Sequence, residues 1–90
     1  MADRTFNYTN ISTATTTLVK SGTGILHTIT VNTTAAATIT IYDSLTASGN
    51  KIATIAASPA IGSDFQYDVA FNTGLTVVTA GASDITVAWA

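Results

Sequence analysis

The sequence predicts an all-β chain, a single-domain antiparallel β-sandwich or jelly-roll-like barrel of about seven to eight strands. Three observations carry this. Strand-favouring Thr, Val, Ile and aromatic residues dominate, with 19 Thr among 90 residues, while Glu is absent and the helix former Gln occurs once. Apolar residues recur with period two rather than with helical spacing. Clusters of Gly, Ser, Asn and Asp interrupt the runs roughly every ten residues, the spacing of sandwich and barrel strands.

The elements follow in order. Phe6 and Tyr8 alternate with polar residues and open the chain, so residues 1–12 read as an N-terminal arm or edge strand and residues 13–90 as the sandwich domain. Thr13 to Lys20 is largely β-branched, and Ser21-Gly22-Thr23-Gly24 is a turn signal. Strict alternation then predicts Ile25, His27, Ile29 and Val31 on one face and Leu26, Thr28, Thr30 and Asn32 on the other. The run Thr33 to Ala37 is too short for a helix and reads as a turn. Thr38 to Asp43 alternates again, with Ile39 and Ile41 opposite Tyr42. The likeness of residues 28–31 (Thr-Ile-Thr-Val) to 38–41 (Thr-Ile-Thr-Ile) suggests a hairpin.

Ser44 to Asn50 is a loop, Lys51 to Ala56 a short strand, and Ser58 to Ser63 a second loop. Phe65, Tyr67, Val69 and Phe71 share one face and are predicted core. Asn72-Thr73-Gly74 turns the chain, Leu75 to Thr79 returns, Gly81 to Asp84 turns again, and Ile85, Val87 and Trp89 finish.

Composition narrows the function classes. Charged residues are 9% of the chain, against roughly 25% in ordinary soluble proteins. A net charge of -2 with three bases, Arg4, Lys20 and Lys51, cannot build the electropositive face that phosphate backbones require, so no nucleic-acid partner is expected. Without cysteine there is no disulfide, no thiolate nucleophile and no Cys-ligated zinc. No run of 18 apolar residues exists, so no membrane-spanning helix is expected. The start Met1-Ala2-Asp3-Arg4-Thr5-Phe6 lacks a basic segment followed by an apolar stretch, so it does not read as a signal peptide and synthesis in the cytoplasm is expected. A domain of this size buries little more than ~60% of its unfolded surface, which favours packing against other subunits.

Catalytic patterns are sparse. No nucleophile-elbow motif frames a serine for a Ser-His-Asp triad, and His27 in phase with Ile25, Ile29 and Val31 reads as a partly buried or interface residue. Asp64 and Asp68 would lie ~13 Å apart along a strand, too far for a paired acid and base without a sugar between them. Asp43, Asp64 and Asp84 sit at strand ends beside serines, where calcium ligands could converge, but no Asp-x-Asp-x-Asp-Gly loop is present. A turn aspartate more commonly bonds to its own backbone two residues on, and Asp84 fits that pattern. The three Asn-x-Ser/Thr triplets, beginning at Asn7, Asn10 and Asn32, are expected by chance among 26 Ser and Thr. No enzyme, cofactor or metal is therefore expected. Phe6, Tyr8, Tyr42 and Trp89 remain as candidate interface residues.

Several segments carry a resemblance. They are Gly24 to Asn32, Thr38 to Asp43, Lys51 to Ile55, Phe71 to Ala82 and Asp84 to Val87. Together, over about residues 13 to 87, they resemble small β-rich accessory proteins encoded among the virion genes of tailed bacteriophages. The likeness lies in strands and turns and supplies no catalytic residue. It implies a structural role on the virion, as a capsid decoration (cement) protein that binds the major capsid protein lattice. It also implies a homo-oligomer, with a trimer preferred because several capsid subunits meet at three-fold positions. A carbohydrate-binding or adhesive module of a phage tail or neck, using Tyr8, Tyr42 or Trp89, is the alternative.

Overall fold

A computed structural model describes residues 6–90; Asp3 and Arg4, with the beginning of the segment 1–12, lie outside the described residues. Eight strands follow one another: β1 (Asn7–Ile11), β2 (Thr15–Ser21), β3 (Gly24–Thr33), β4 (Ile39–Asp43), β5 (Asn50–Ile55), β6 (Asp64–Phe71), β7 (Gly74–Thr79) and β8 (Asp84–Trp89). No helix forms among the described residues, and Ala35 to Ala37 belongs to a connection.

The strands make two four-stranded antiparallel sheets, sheet A in the order β1-β8-β3-β6 and sheet B in the order β2-β7-β4-β5. Every connection except β4–β5 crosses from one sheet to the other. Eight strands in this order form a jelly roll, two interlocked Greek keys closed as a sandwich. Of the segment 1–12, residues 7–11 are the outer strand of sheet A.

The crossing explains the likeness of residues 28–31 to 38–41 differently from a hairpin. β3 lies in sheet A and β4 in sheet B, so these strands do not pair. Each contributes branched residues to the same core from opposite sides. Ile29 and Val31 come from β3, and Ile39 and Ile41 from β4, all fully buried. Phe71, Leu75, Val77, Ile85 and Val87 complete the dry centre, with Ile11 and Ile55 at its margins. The molecule measures 16 Å along its shortest axis, as expected for two sheets about 10 Å apart.

In β3 strict alternation fails at His27. Leu26 is fully buried and His27 faces outward, the reverse of the predicted faces. The cause is a pair of irregularities at His27. Against β6, Tyr67 and Asp68 together stand opposite His27, between the pairs Leu26↔Val69 and Thr28↔Gln66. Against β8 the extra residue belongs to β3, because Leu26 pairs with Trp89 and Thr28 with the adjacent Ala88. A bulge shifts the side-chain phase by one position. Leu26 and Ile29, three apart, therefore both point inward.

On β6 the predicted inward face is correct, but it is graded: Phe71 is fully buried while Phe65, Tyr67 and Val69 pack against the core half-covered. β6 is an outer strand, so its inner residues have neighbours on one side only.

Candidate functional site

Sheet A turns a polar face outward. Residues opposite one another across an antiparallel pair share a face, and the register builds two cross-strand rows. One runs Tyr8–Ala88–Thr28–Gln66 and the other Asn10–Thr86–Thr30–Asp64. Side-chain hydrogen bonds fix this surface. The Asn10 amide donates to Asp84 Oδ1 (2.6 Å) and to the Ile85 carbonyl (2.9 Å). Asn32 donates to Asp84 Oδ1 (3.2 Å) and Thr86 Oγ1 (3.0 Å). The Thr30 hydroxyl donates to Asp64.

Asp84 is thus held by amides from β1 and from β3, rather than by its own turn backbone as its sequence context suggested. The turn before it closes through its backbone, with Ser83 N–H donating to the Gly81 carbonyl (2.8 Å).

The bulge adds a second cluster. Asp68 adopts a left-handed conformation (φ 52°), which aspartate tolerates better than most residues. Its carboxylate accepts from His27 Nδ1–H and from the Gln66 amide (2.7 Å). Phe6 lies flat against the His27 ring: the rings stack with centroids 4.0 Å apart and planes 8° from parallel. Hydrogen bonding to the charged form, from His27 first and then Gln66, holds the Asp68 carboxyl below its ordinary range.

Among the described residues, the lysines lie on one sheet. Sheet A carries Asp64, Asp68 and Asp84 and no lysine or arginine, while Lys20 and Lys51 lie on sheet B together with Asp43. Sheet B has its own outer row, Leu18–Thr76–Tyr42–Lys51. Leu45 folds over the end of that face, close against Gly74. Thr76 is fully buried there and donates to the Ser44 carbonyl (2.7 Å).

The four candidate interface residues are not brought together. Phe6 and Tyr8 belong to the outer side of sheet A, and Tyr8 is 77% exposed. Tyr42 is half-buried on the opposite sheet. Trp89 points inward, packs against the core, and donates its indole N–H to Thr9 Oγ1 (3.1 Å). Its strand is paired on both sides, with β1 and β3, which accounts for this burial one residue from the end of the chain.

Nor do the turn aspartates converge: no group of three His, Cys, Asp or Glu residues that could hold a metal forms among the described residues. Asp43 serves another purpose. Its carboxylate accepts the N–H groups of Thr73 (2.8 Å), Asn72 (3.0 and 3.1 Å) and Gly74 (3.4 Å), tying the end of β4 to the β6–β7 turn. These backbone bonds, Thr73 and Asn72 foremost, hold its carboxyl below the ordinary value near 3.8.

Asp43 and Asp68 both have depressed folded-state pKa values. The stability they add is therefore fully present above the ordinary carboxylate range and is lost as pH falls through their lowered values. Stability measured by urea unfolding is expected to fall as pH drops below about 4. Asp43→Asn, which cannot ionise, should lower stability at pH 7 and flatten that acid limb. An unchanged limb in the variant would show that Asp43 does not contribute to it.

No ligand-sized pocket opens among the described residues. Comparison with protein-family models, with curated proteins and with solved structures returns no match.

Proposed function

We propose that the chain is a structural virion protein, a capsid decoration protein of a tailed bacteriophage, that binds the major capsid protein lattice through a sheet face. The observation that carries this reading is the outer face of sheet A. Its Asn10, Asn32 and Thr30 side chains make cross-strand hydrogen bonds, Gln66 bonds to Asp68 within β6, and its aspartates are each engaged by a neighbour. Among the described residues the face is acidic, with Asp64, Asp68 and Asp84 and no lysine or arginine. It therefore suits a lattice surface that brings donors or cations to these carboxylates, because burying unpaired charge is what makes docking costly. It loses little side-chain entropy on docking, since its groups are already fixed. The jelly roll is shared by viral capsid domains, a likeness of architecture only.

In this reading the chain works on the capsid surface, without nucleic acid, membrane or cofactor in its role. Particles assembled with and without it are expected to differ in melting temperature and in resistance to osmotic shock. Equal stability of the two preparations would overturn the reading.

One observation favours a second reading, a carbohydrate-binding module of a tail or neck. Tyr8 is an exposed ring on a face rich in hydrogen-bonding side chains, and jelly rolls also include lectin domains. Glycan-array binding abolished by Tyr8→Ala would support it. Trp89 and Tyr42 contribute less to such a face, one pointing inward and the other lying on the opposite sheet.

A further inference from the structure

Each sheet of the sandwich ends in two outer strands, and an outer strand offers unpaired N–H and C=O groups that can template another strand. Proteins blunt such edges with charges and bulges. Three of the four edges here have both. β2 carries Lys20 and a register break between Leu18 and Lys20. β5 carries Lys51 and a break opposite Ile41 and Tyr42. β6 carries Asp64 and Asp68 and the bulge at Tyr67 and Asp68.

β1 has neither device. It contains no charged residue and no proline, and its register with β8 runs unbroken from Asn7↔Trp89 to Ile11↔Ile85. It also bears Tyr8, at 77% the most exposed of the large hydrophobic residues.

We propose that β1 is an association edge and that its occupant is β1 of a second copy of this chain, paired antiparallel about a two-fold axis at Thr9. The choice of occupant follows from the strand itself. A two-fold contact sets a surface against itself, so it must be self-complementary. An uncharged strand meets that condition, whereas each of the other edges would add like charges along one seam.

Full overlap pairs Asn7 with Ile11, Tyr8 with Asn10 and Thr9 with its own copy. Tyr8 and its counterpart are then diagonal neighbours about 7–8 Å apart on the outer face, within reach of aromatic rings. Each exposed ring is covered by the other, and two copies of sheet A join into one continuous sheet. A five-residue seam is small, so the dimer is weak and concentration-dependent. The inference does not rest on the virion reading, and in free solution it replaces the expected trimer with a two-fold pair.

The test is sedimentation equilibrium of the full chain between about 10 µM and about 1 mM. A monomer–dimer equilibrium is expected. Tyr8→Lys, which sets like charges across the seam, should weaken it roughly tenfold or more. Ile61→Lys, which removes another exposed apolar residue (67%) outside β1, should leave it unchanged. Unfolding curves at low concentration check that each variant folds.

As a second measurement, Tyr8→Cys labelled with a pyrene maleimide should give excimer emission that fades on dilution, and labelled Ile61→Cys should give none. The chain has no other cysteine to compete for the label. A monomer throughout the range, a trimer, a dimer that Tyr8→Lys leaves intact, or a Tyr8→Cys label without excimer would each overturn the proposal.

Discussion

Phe71→Ala is expected to lower the free energy of unfolding by about 3–5 kcal/mol, the range for removing a large aromatic side chain from a packed core. Phe71 is the largest fully buried side chain, at the end of β6 where the chain leaves sheet A for sheet B. Its ring passes over Gly24, its partner on β3. The backbone there is pinned from several directions. Gly22 N–H donates to the Thr73 carbonyl (2.9 Å), and Ile25 exchanges two backbone bonds with Ala90 (2.8 and 2.9 Å). Walls held this way do not collapse into the space, which places the cost toward the upper part of the range. Native domains are stable by roughly 0.05–0.15 kcal/mol per residue, so this one substitution removes a large share of the total. Urea unfolding monitored by circular dichroism measures it, and a loss under about 1 kcal/mol would show that the ring is not a core element.

Gly24→Ala is the second large effect, and it arises from the opposite cause. A Cβ at this position would lie 2.5 Å from the Ala90 carbonyl oxygen, 2.6 Å from Phe71 Cζ and 3.0 Å from Phe71 Cε1. One of these neighbours is backbone and the other a buried ring, so neither yields freely. Overpacking of this kind costs typically about 1–3 kcal/mol and occasionally more. The damage should be local first: amides of Ile25 and Ala90, which bond to each other's carbonyls, should lose hydrogen-exchange protection beyond the global change. Retained protection at both positions would contradict the predicted clash.

The two substitutions share an atom pair, so they should not add. With the ring gone, the alanine at position 24 is relieved of the two ring contacts and keeps the one with the Ala90 carbonyl, and the double variant should be more stable than the sum of the single losses implies. Additive losses would mean that ring and glycine do not touch.

Much of this architecture was legible in the residues. Period-two runs of Ile, Val and aromatic residues marked the strands, and Gly, Ser, Asn and Asp marked the turns, because both signals report local backbone preference. The inner face of β6 followed from alternation alone. The phase of β3 did not. Ile25, Ile29 and Val31 make a consistent alternating face, and nothing within the strand announces that one position is displaced. The displacement shows only in the pairing with distant strands, where His27 stands opposite Tyr67 and Asp68 of β6 and is the extra residue against Ala88 and Trp89 of β8. Likewise nothing near Asp43 or Asp84 shows that one ties down the β6–β7 turn and the other is gripped by Asn10 and Asn32, because those partners come from distant strands.

The sequence by itself determined that this chain is all-β, where most of its strands lie, which residues could fill a core, and how little charge is left for the outside. Only the tertiary structure decided how strands divide between sheets, which face His27 and Trp89 take, and which edge stays unguarded. The reason is physical. Alternation and turn chemistry act within a few residues, whereas sheet membership, bulges and edge exposure depend on which distant strand lies alongside. The missing charge illustrates the difference: composition shows that it is scarce, and the fold shows that it guards three edges and leaves β1 bare.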